Sequence, residues 1–155
     1  MYYEHVQKDI TIIGGGLAGV CAAISAARNG KMISLIQNRG ILGGNSSSEI
    51  RVWVCGATKH GINRYARETG IMGELFLENQ YRNPDGNPYL WDLLLMEKVK
   101  NEKNISLFLN TEITELDTLK GEKGTIIKSV TGWTSGSECT TTFESNIFLD
   151  CSGDR

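Results

Sequence analysis

The sequence predicts an α/β fold built in three layers, with a parallel sheet, helices on one side and a three-stranded antiparallel β-meander on the other. Three observations carry this. An apolar, β-branched run over residues 9–13 leads directly into a glycine cluster. An alanine-rich stretch free of proline, residues 17–29, then separates it from a second apolar run at 32–36. A strand–helix–strand unit of this kind makes its strands parallel. The last third of the chain differs, with short alternating runs separated by hairpin loops.

Composition narrows the function classes. The chain has 155 residues, 40% of them hydrophobic and 22% charged, which suits one globular domain with its own core. Its net charge of -2, with no basic stripe, argues against a partner bound by phosphate neutralisation, so no nucleic acid is expected. No apolar run is long enough for a bilayer, so no membrane partner is expected. The opening Met-Tyr-Tyr-Glu-His is not a secretory leader, which makes a cytoplasmic location the expectation. Cysteines at 21, 55, 139 and 151 form no C-x-x-C pair and only two histidines exist, so neither a metal site nor a disulfide framework is expected. Cys21 and Cys151 read as small core residues.

Each element has its own signal. Residues 9–13 form a buried strand, residues 17–29 a helix stopped by Gly30, and residues 32–36 a second strand. Helices are predicted over 64–80 and 89–101, with the prolines and glycine of 83–88 marking the turn between them. Strands follow at 105–109, 113–119, 126–134 and 139–144, and a separate apolar strand at 146–150. Trp53, Trp91 and Trp133 read as core or interface residues.

Gly14-x-Gly16-x-x-Gly19 between strand and helix carries the chemistry. Gly14 permits the tight turn, Gly16 lets the backbone approach a pyrophosphate, and Gly19 lets the helix pack close to the strand. With Leu17 and Ala18, these residues open a helix whose free N–H groups and partial positive charge suit phosphate. A Rossmann-like dinucleotide site also wants an acid for the adenosine ribose at the end of the second strand. Here Gln37 stands in that place, followed by Asn38 and Arg39. A glutamine amide can still hydrogen-bond a hydroxyl, and Arg39 raises the alternative of a 2′-phosphate.

Leu42-Gly43-Gly44-Asn45-Ser46 and the closing Asp150-Cys151-Ser152-Gly153-Asp154 complete the pattern. With these residues in this order, the chain resembles the FAD-binding domain of glutathione-reductase-type flavoproteins, and more narrowly a bacterial group of FAD-dependent oxidoreductases. The resemblance implies FAD as cofactor. It places Gly14, Gly16 and Gly19 at the pyrophosphate, Gln37 and Asn38 near the adenosine ribose, and Gly43, Gly44, Asn45 and Ser46 near the pyrophosphate or flavin. It places Ile113 at the adenine, and Ser152, Gly153 and Asp154 toward the ribityl and pyrophosphate region.

Candidates for the chemistry itself follow the Gly-Gly-Asn segment. Arg51 could stabilise a reduced anionic flavin or a substrate carboxylate, and His60 could move a proton. Glu49 and Cys55 lie in the same stretch. The expected function is hydride transfer between a small-molecule substrate and FAD. The alternatives are an FAD enzyme of another class, RNA-modifying or thiazole-forming, and a non-enzymatic or NAD(P)-only nucleotide-binding module. The resemblance further implies that residues 1–155 form the N-terminal FAD-binding portion of a longer enzyme, inactive without its substrate domain and a returning segment.

Overall fold

The computed structural model describes residues 2–55, 61–62, 67–121 and 124–153. Six strands form one mixed sheet in the order β3-β2-β1-β6-β5-β4. The parallel part comprises β1 (Tyr2–Ile13), β2 (Ile33–Ile36), β3 (Ile105–Phe108) and β6 (Cys139–Asp150). The antiparallel part joins β4 (Thr111–Gly121) and β5 (Gly124–Thr134) to the first half of β6. Helices α1 (Leu17–Arg28), α2 (Gly70–Arg82) and α3 (Pro88–Asn101) complete the fold. None of the described helices is long and apolar enough to cross a membrane.

The helices cover one face of β1, β2 and β3. Ile12, Ile33 and Leu35 of the strands meet Val20, Ala23 and Ile24 of α1, Leu75 of α2, and Trp91, Leu94, Leu95 and Val99 of α3, all buried. Cys21 and Cys151 pack against this cluster as half-buried residues, in keeping with their reading as small core side chains. A second cluster lies on the opposite face, where Ile36 meets Val130 and Phe143, with Phe108 and Ile113 packed alongside. Phe108 and Phe143 pack edge to face with centroids 4.8 Å apart. The meander thus folds over the sheet that carries it, and the three layers are present.

Several boundaries differ from expectation, each for a physical reason. β1 begins at Tyr2 because residues 2–8 pair with residues 139–145 of β6, a partner more than a hundred residues away. The strands expected at 139–144 and 146–150 are one strand: polar Glu144, Ser145 and Asn146 interrupt the apolar pattern, but backbone pairing to β1 resumes at Ile10–Ile147. Helix α2 starts at Gly70, where φ is +60° and Thr69 before it is extended; residues 67–69 are not helical, and residues 63–66 lie outside those described. Helix α3 starts one residue early, since Pro88 suits the first helical position and the Asn87 side chain accepts the Tyr89 N–H at 3.0 Å.

Charge stitches the helices together on their outer side. Arg28 of α1 reaches Glu74 of α2 and Glu102 after α3, both at 2.7 Å. Lys98 of α3 binds Glu74 and Glu78, and Arg82 binds Glu78 and Glu97. Hydrogen bonding to Arg28, opposed by desolvation and helped by the bond to Lys98, holds the Glu74 carboxyl down at about 2.

Two outcomes follow. Phe143→Ala, which empties the middle of the second cluster, lowers unfolding free energy by about 3–5 kcal/mol in denaturant titration. Glu74→Gln lowers the melting temperature near neutral pH. Folded Glu74 titrates below its unfolded range, so its contribution is complete above that range and is lost as pH falls toward about 2. The gap between wild type and variant therefore narrows in melts run at about pH 3.

A glycine-lined cleft at the carboxyl edge of the parallel sheet

The four parallel strands end at one edge, where a ligand cleft in an open α/β sheet belongs. A cleft of about 1020 Å³ opens there, at the upper end of the usual range for ligand sites. The turn after β1 lends it Gly14, Gly16, Leu17 and Ala18, and the segment after β2 lends Gln37, Asn38 and Arg39. Gly43, Gly44, Asn45 and Ser46 line it, as do Ile113 on the meander side and Ser152 and Gly153 after β6. Of the expected site residues that are described, only Gly19, Glu49 and Arg51 lie outside the lining; Asp154 and His60 lie outside the described residues.

The three motif glycines have different reasons to be glycine. Gly14 has φ +104°, and a Cβ there would stand 2.4 Å from the Cys151 carbonyl oxygen. At Gly19 a Cβ would stand 1.8 Å from the Gly14 carbonyl oxygen, so this position serves the packing of α1 on β1 and faces no ligand. At Gly16 the backbone is ordinary (φ -66°, ψ 179°) and a Cβ would meet nothing within 4 Å. Neither fold nor backbone requires glycine at position 16. What the missing side chain leaves open is the cleft, directly at the N-terminus of α1.

A second glycine loop closes over the first. Gly43 donates to the Gly15 carbonyl at 2.8 Å and pairs with Gly16 as an isolated bridge. Gly43 has φ +104°, a conformation that glycine takes without strain. Gly15, which the motif spacing leaves unassigned, is required as well: a Cβ would stand 2.6 Å from Leu42 Cδ2 and 3.0 Å from Gln37 Cβ. Ser46 Oγ caps the loop at Gly43 O and accepts the Trp91 indole N–H at 3.1 Å, tying the cleft to the core. This cradle fits a dinucleotide phosphate: a helix N-terminus with no acid in its first turn, two converging loops, and one uncovered glycine between them.

Several side chains sit differently from expectation. The Gln37 amide is held by backbone, with Oε1 accepting from Gly15 N–H at 2.8 Å and Nε2 donating to Ile41 O at 3.2 Å. Arg39 pairs with Glu49 at 3.1 Å. Arg51 has φ 62°, and its guanidinium donates to Ser48 O and lies against Tyr89, which turns it away from the cleft. Trp53, expected in a core or interface, is 78% exposed and lines the cleft with Val52, Val54 and Cys55. No local signal marked that placement, because it arises where an irregular segment crosses the edge of the fold.

Asp150 and Cys151 divide the second motif. Asp150 accepts the Ser152 N–H at 3.0 Å and its hydroxyl at 2.7 Å, and these bonds lower the Asp150 carboxyl below its ordinary value. Burial, with the Asp150 charge beside it, raises the Cys151 thiol, so it is poorly suited to act as a nucleophile. Among the described residues, no cluster of His, Cys, Asp and Glu could hold a metal.

The glycine geometry separates fold from ligand. Gly19→Ala destabilises the apo protein by about 1–3 kcal/mol, because a methyl group meets fixed backbone. Gly16→Ala shifts apo stability by no more than about 0.5 kcal/mol and weakens FAD uptake, since its methyl group projects into the cleft. Apo melting curves and FAD titration on the two variants check both statements.

Similarity to known proteins agrees with this geometry. Methylenetetrahydrofolate–tRNA-(uracil-5-)-methyltransferase TrmFO 1 of Mesoplasma florum is 29% identical over 130 residues, a match covering 74% of this chain and 29% of that protein. L-proline dehydrogenase from P. horikoshii superposes with a TM-score of 0.55 at 20% identity, over 99% of this chain and 24% of that one. Adenylylsulfate reductase from Archaeoglobus fulgidus superposes with a TM-score of 0.61 at 17% identity, over 97% and 31%. At such identities the structures share the fold, and the chain spans under a third of each relative's length. The family model for FAD dependent oxidoreductases matches residues 9–154, so the chain belongs to that family and its cofactor is FAD.

Proposed function

We propose that this domain seats FAD along the cleft for hydride exchange with a small-molecule substrate in the complete protein. The observation that carries the reading is Gly16, a glycine with ordinary backbone and open space above it, at the start of α1 and under the second glycine loop. In this reading the first-turn N–H groups of α1 and the loop of Gly43, Gly44, Asn45 and Ser46 hold the pyrophosphate. Ile113 and its neighbours on β4 flank the adenine. Ser152 and Gly153 approach the ribityl side, and Val52, Trp53 and Val54 form an apolar wall toward the flavin. When bound, FAD supplies a two-electron partner for a substrate C–H bond. The protein's part is to orient the cofactor and exclude water.

The substrate and its catalytic groups belong, in this proposal, to a further domain, and residues 1–155 alone do not turn over. A second reading, an FAD enzyme that modifies RNA, is favoured by the similarity to the tRNA-methylating protein of Mesoplasma florum. Against it, the chain carries a net charge of -2 and no basic stripe, a balance unsuited to a polyanion.

An absorbance spectrum of the full-length protein, purified without added cofactor, tests the proposal. The expected result is a flavin spectrum and FAD released by heat. A colourless protein that takes up NAD(P) and refuses FAD would overturn it. RNA-dependent oxidation of the bound flavin would favour the second reading over the first.

A further inference from the structure

Dinucleotide sites read the adenosine 2′-hydroxyl with an acid at the end of the second strand, and this chain has Gln37 there. The Gln37 amide is already engaged. It is 5% exposed, it accepts from Gly15 N–H at 2.8 Å, and it donates to the Ile41 carbonyl at 3.2 Å. Its stem fills the space over Gly15, with Cβ and Cγ at 3.0 and 3.2 Å from where a Gly15 Cβ would stand. The next residue is in the opposite condition. Asn38 is exposed, lines the same cleft, and has no hydrogen-bond partner for its amide among the described residues. Its backbone is fixed from both sides, because the carbonyls of Gln37 and Arg39 accept from Thr111 and Asn110 at 3.0 and 3.1 Å. Arg39 beyond it is paired with Glu49.

We propose that Asn38, and not residue 37, reads the adenosine 2′-hydroxyl of FAD, and that Gln37 is a positioning residue that clamps the two glycine loops together. The assignment rests on FAD lying in the cleft as proposed above. An amide both donates and accepts, so Asn38 pairs with a hydroxyl without bringing a charge near the phosphates. Gln37 acts through Gly15: its carbonyl end fixes the first loop and its amino end fixes the segment leading into the second. The two residues share the work that one acid does elsewhere, one holding the cradle and one touching the sugar.

The test is equilibrium binding of FAD and of its 2′-deoxyadenosine analogue to the apo full chain. Wild type binds FAD about 3–10-fold more tightly than the analogue, the worth of one hydrogen bond. Asn38→Ala, an exposed position that leaves the fold intact, loses that preference and binds both compounds alike. Gln37→Leu weakens both compounds by the same factor, about tenfold for an unsatisfied Gly15 N–H, and keeps the wild-type preference. A uniform structural defect could not produce the contrast between the two variants. Preference retained in Asn38→Ala, preference lost in Gln37→Leu, or no preference in wild type would each overturn the assignment while leaving the cofactor reading intact. A wild-type protein that binds neither compound would overturn both.

Discussion

The approach of α1 to β1 is the constraint on which the site depends. Gly19 lies so close beneath the Gly14 carbonyl that a Cβ would stand 1.8 Å from its oxygen. That closeness lets the helix begin at once: Val20 N–H already bonds Gly16 O at 2.9 Å, with no intervening loop. The unpaired N–H groups of the first turn therefore open at the mouth of the cleft instead of several residues away from it. The second glycine loop then uses the same compactness: Gly43 N–H reaches Gly15 O at 2.8 Å beside Leu42, whose Cδ2 would stand 2.6 Å from a Cβ at Gly15.

Strands β1 and β6 make that compactness global. They pair from Tyr2–Cys139 to Ile13–Asp150, so a single ladder carries both the meander and the parallel sheet. Their ends arrive together, with Cys151 N–H bonded to Ile13 O at 2.7 Å and the Cys151 carbonyl pressed on Gly14. The second motif thereby buttresses the first. On the helix face the same ladder is only partly covered: Ile147 and Leu149, in register with Ile10 and Ile12, are 52% and 37% exposed.

What the sequence made legible was local. The strand–glycine–helix–strand unit, α3 following its proline-bearing turn, and the hairpins are each encoded by residues within a few positions of one another, and their period or turn chemistry survives folding. The glycine spacing also located the cleft, because residues that must leave space are visible as missing side chains. What escaped was nonlocal. Residues 2–8 carry no strand pattern and become one because β6 offers a partner. Continuity of β6 through Glu144–Asn146 depends on backbone pairing, to which side-chain polarity is indifferent. Gln37 has the right address for a ribose contact, but the proximity of Gly15, twenty-two residues earlier, decides what its amide does. Trp53 reads as a core residue by type and is placed at the cleft only by the path of the chain around it.

The distribution of charge says how an anion would be held here. The strong ion pairs bind the helices to one another, and the one cation of the described cleft lining, Arg39, is already paired with Glu49. The remaining charged residues lining it, Glu112, Glu115 and Asp150, are acids. A pyrophosphate in this cleft would therefore have to be held by backbone N–H groups and the field of α1 rather than by lysine or arginine. Asp150 is compatible with this because its carboxylate is directed into its own turn, where it accepts two bonds from Ser152. Those bonds order the residues that close the cleft and keep the negative charge satisfied within the turn. A ribose read by a neutral amide at position 38 follows the same economy, since a further carboxylate in the cleft would have no unpaired cation among the described lining to balance it.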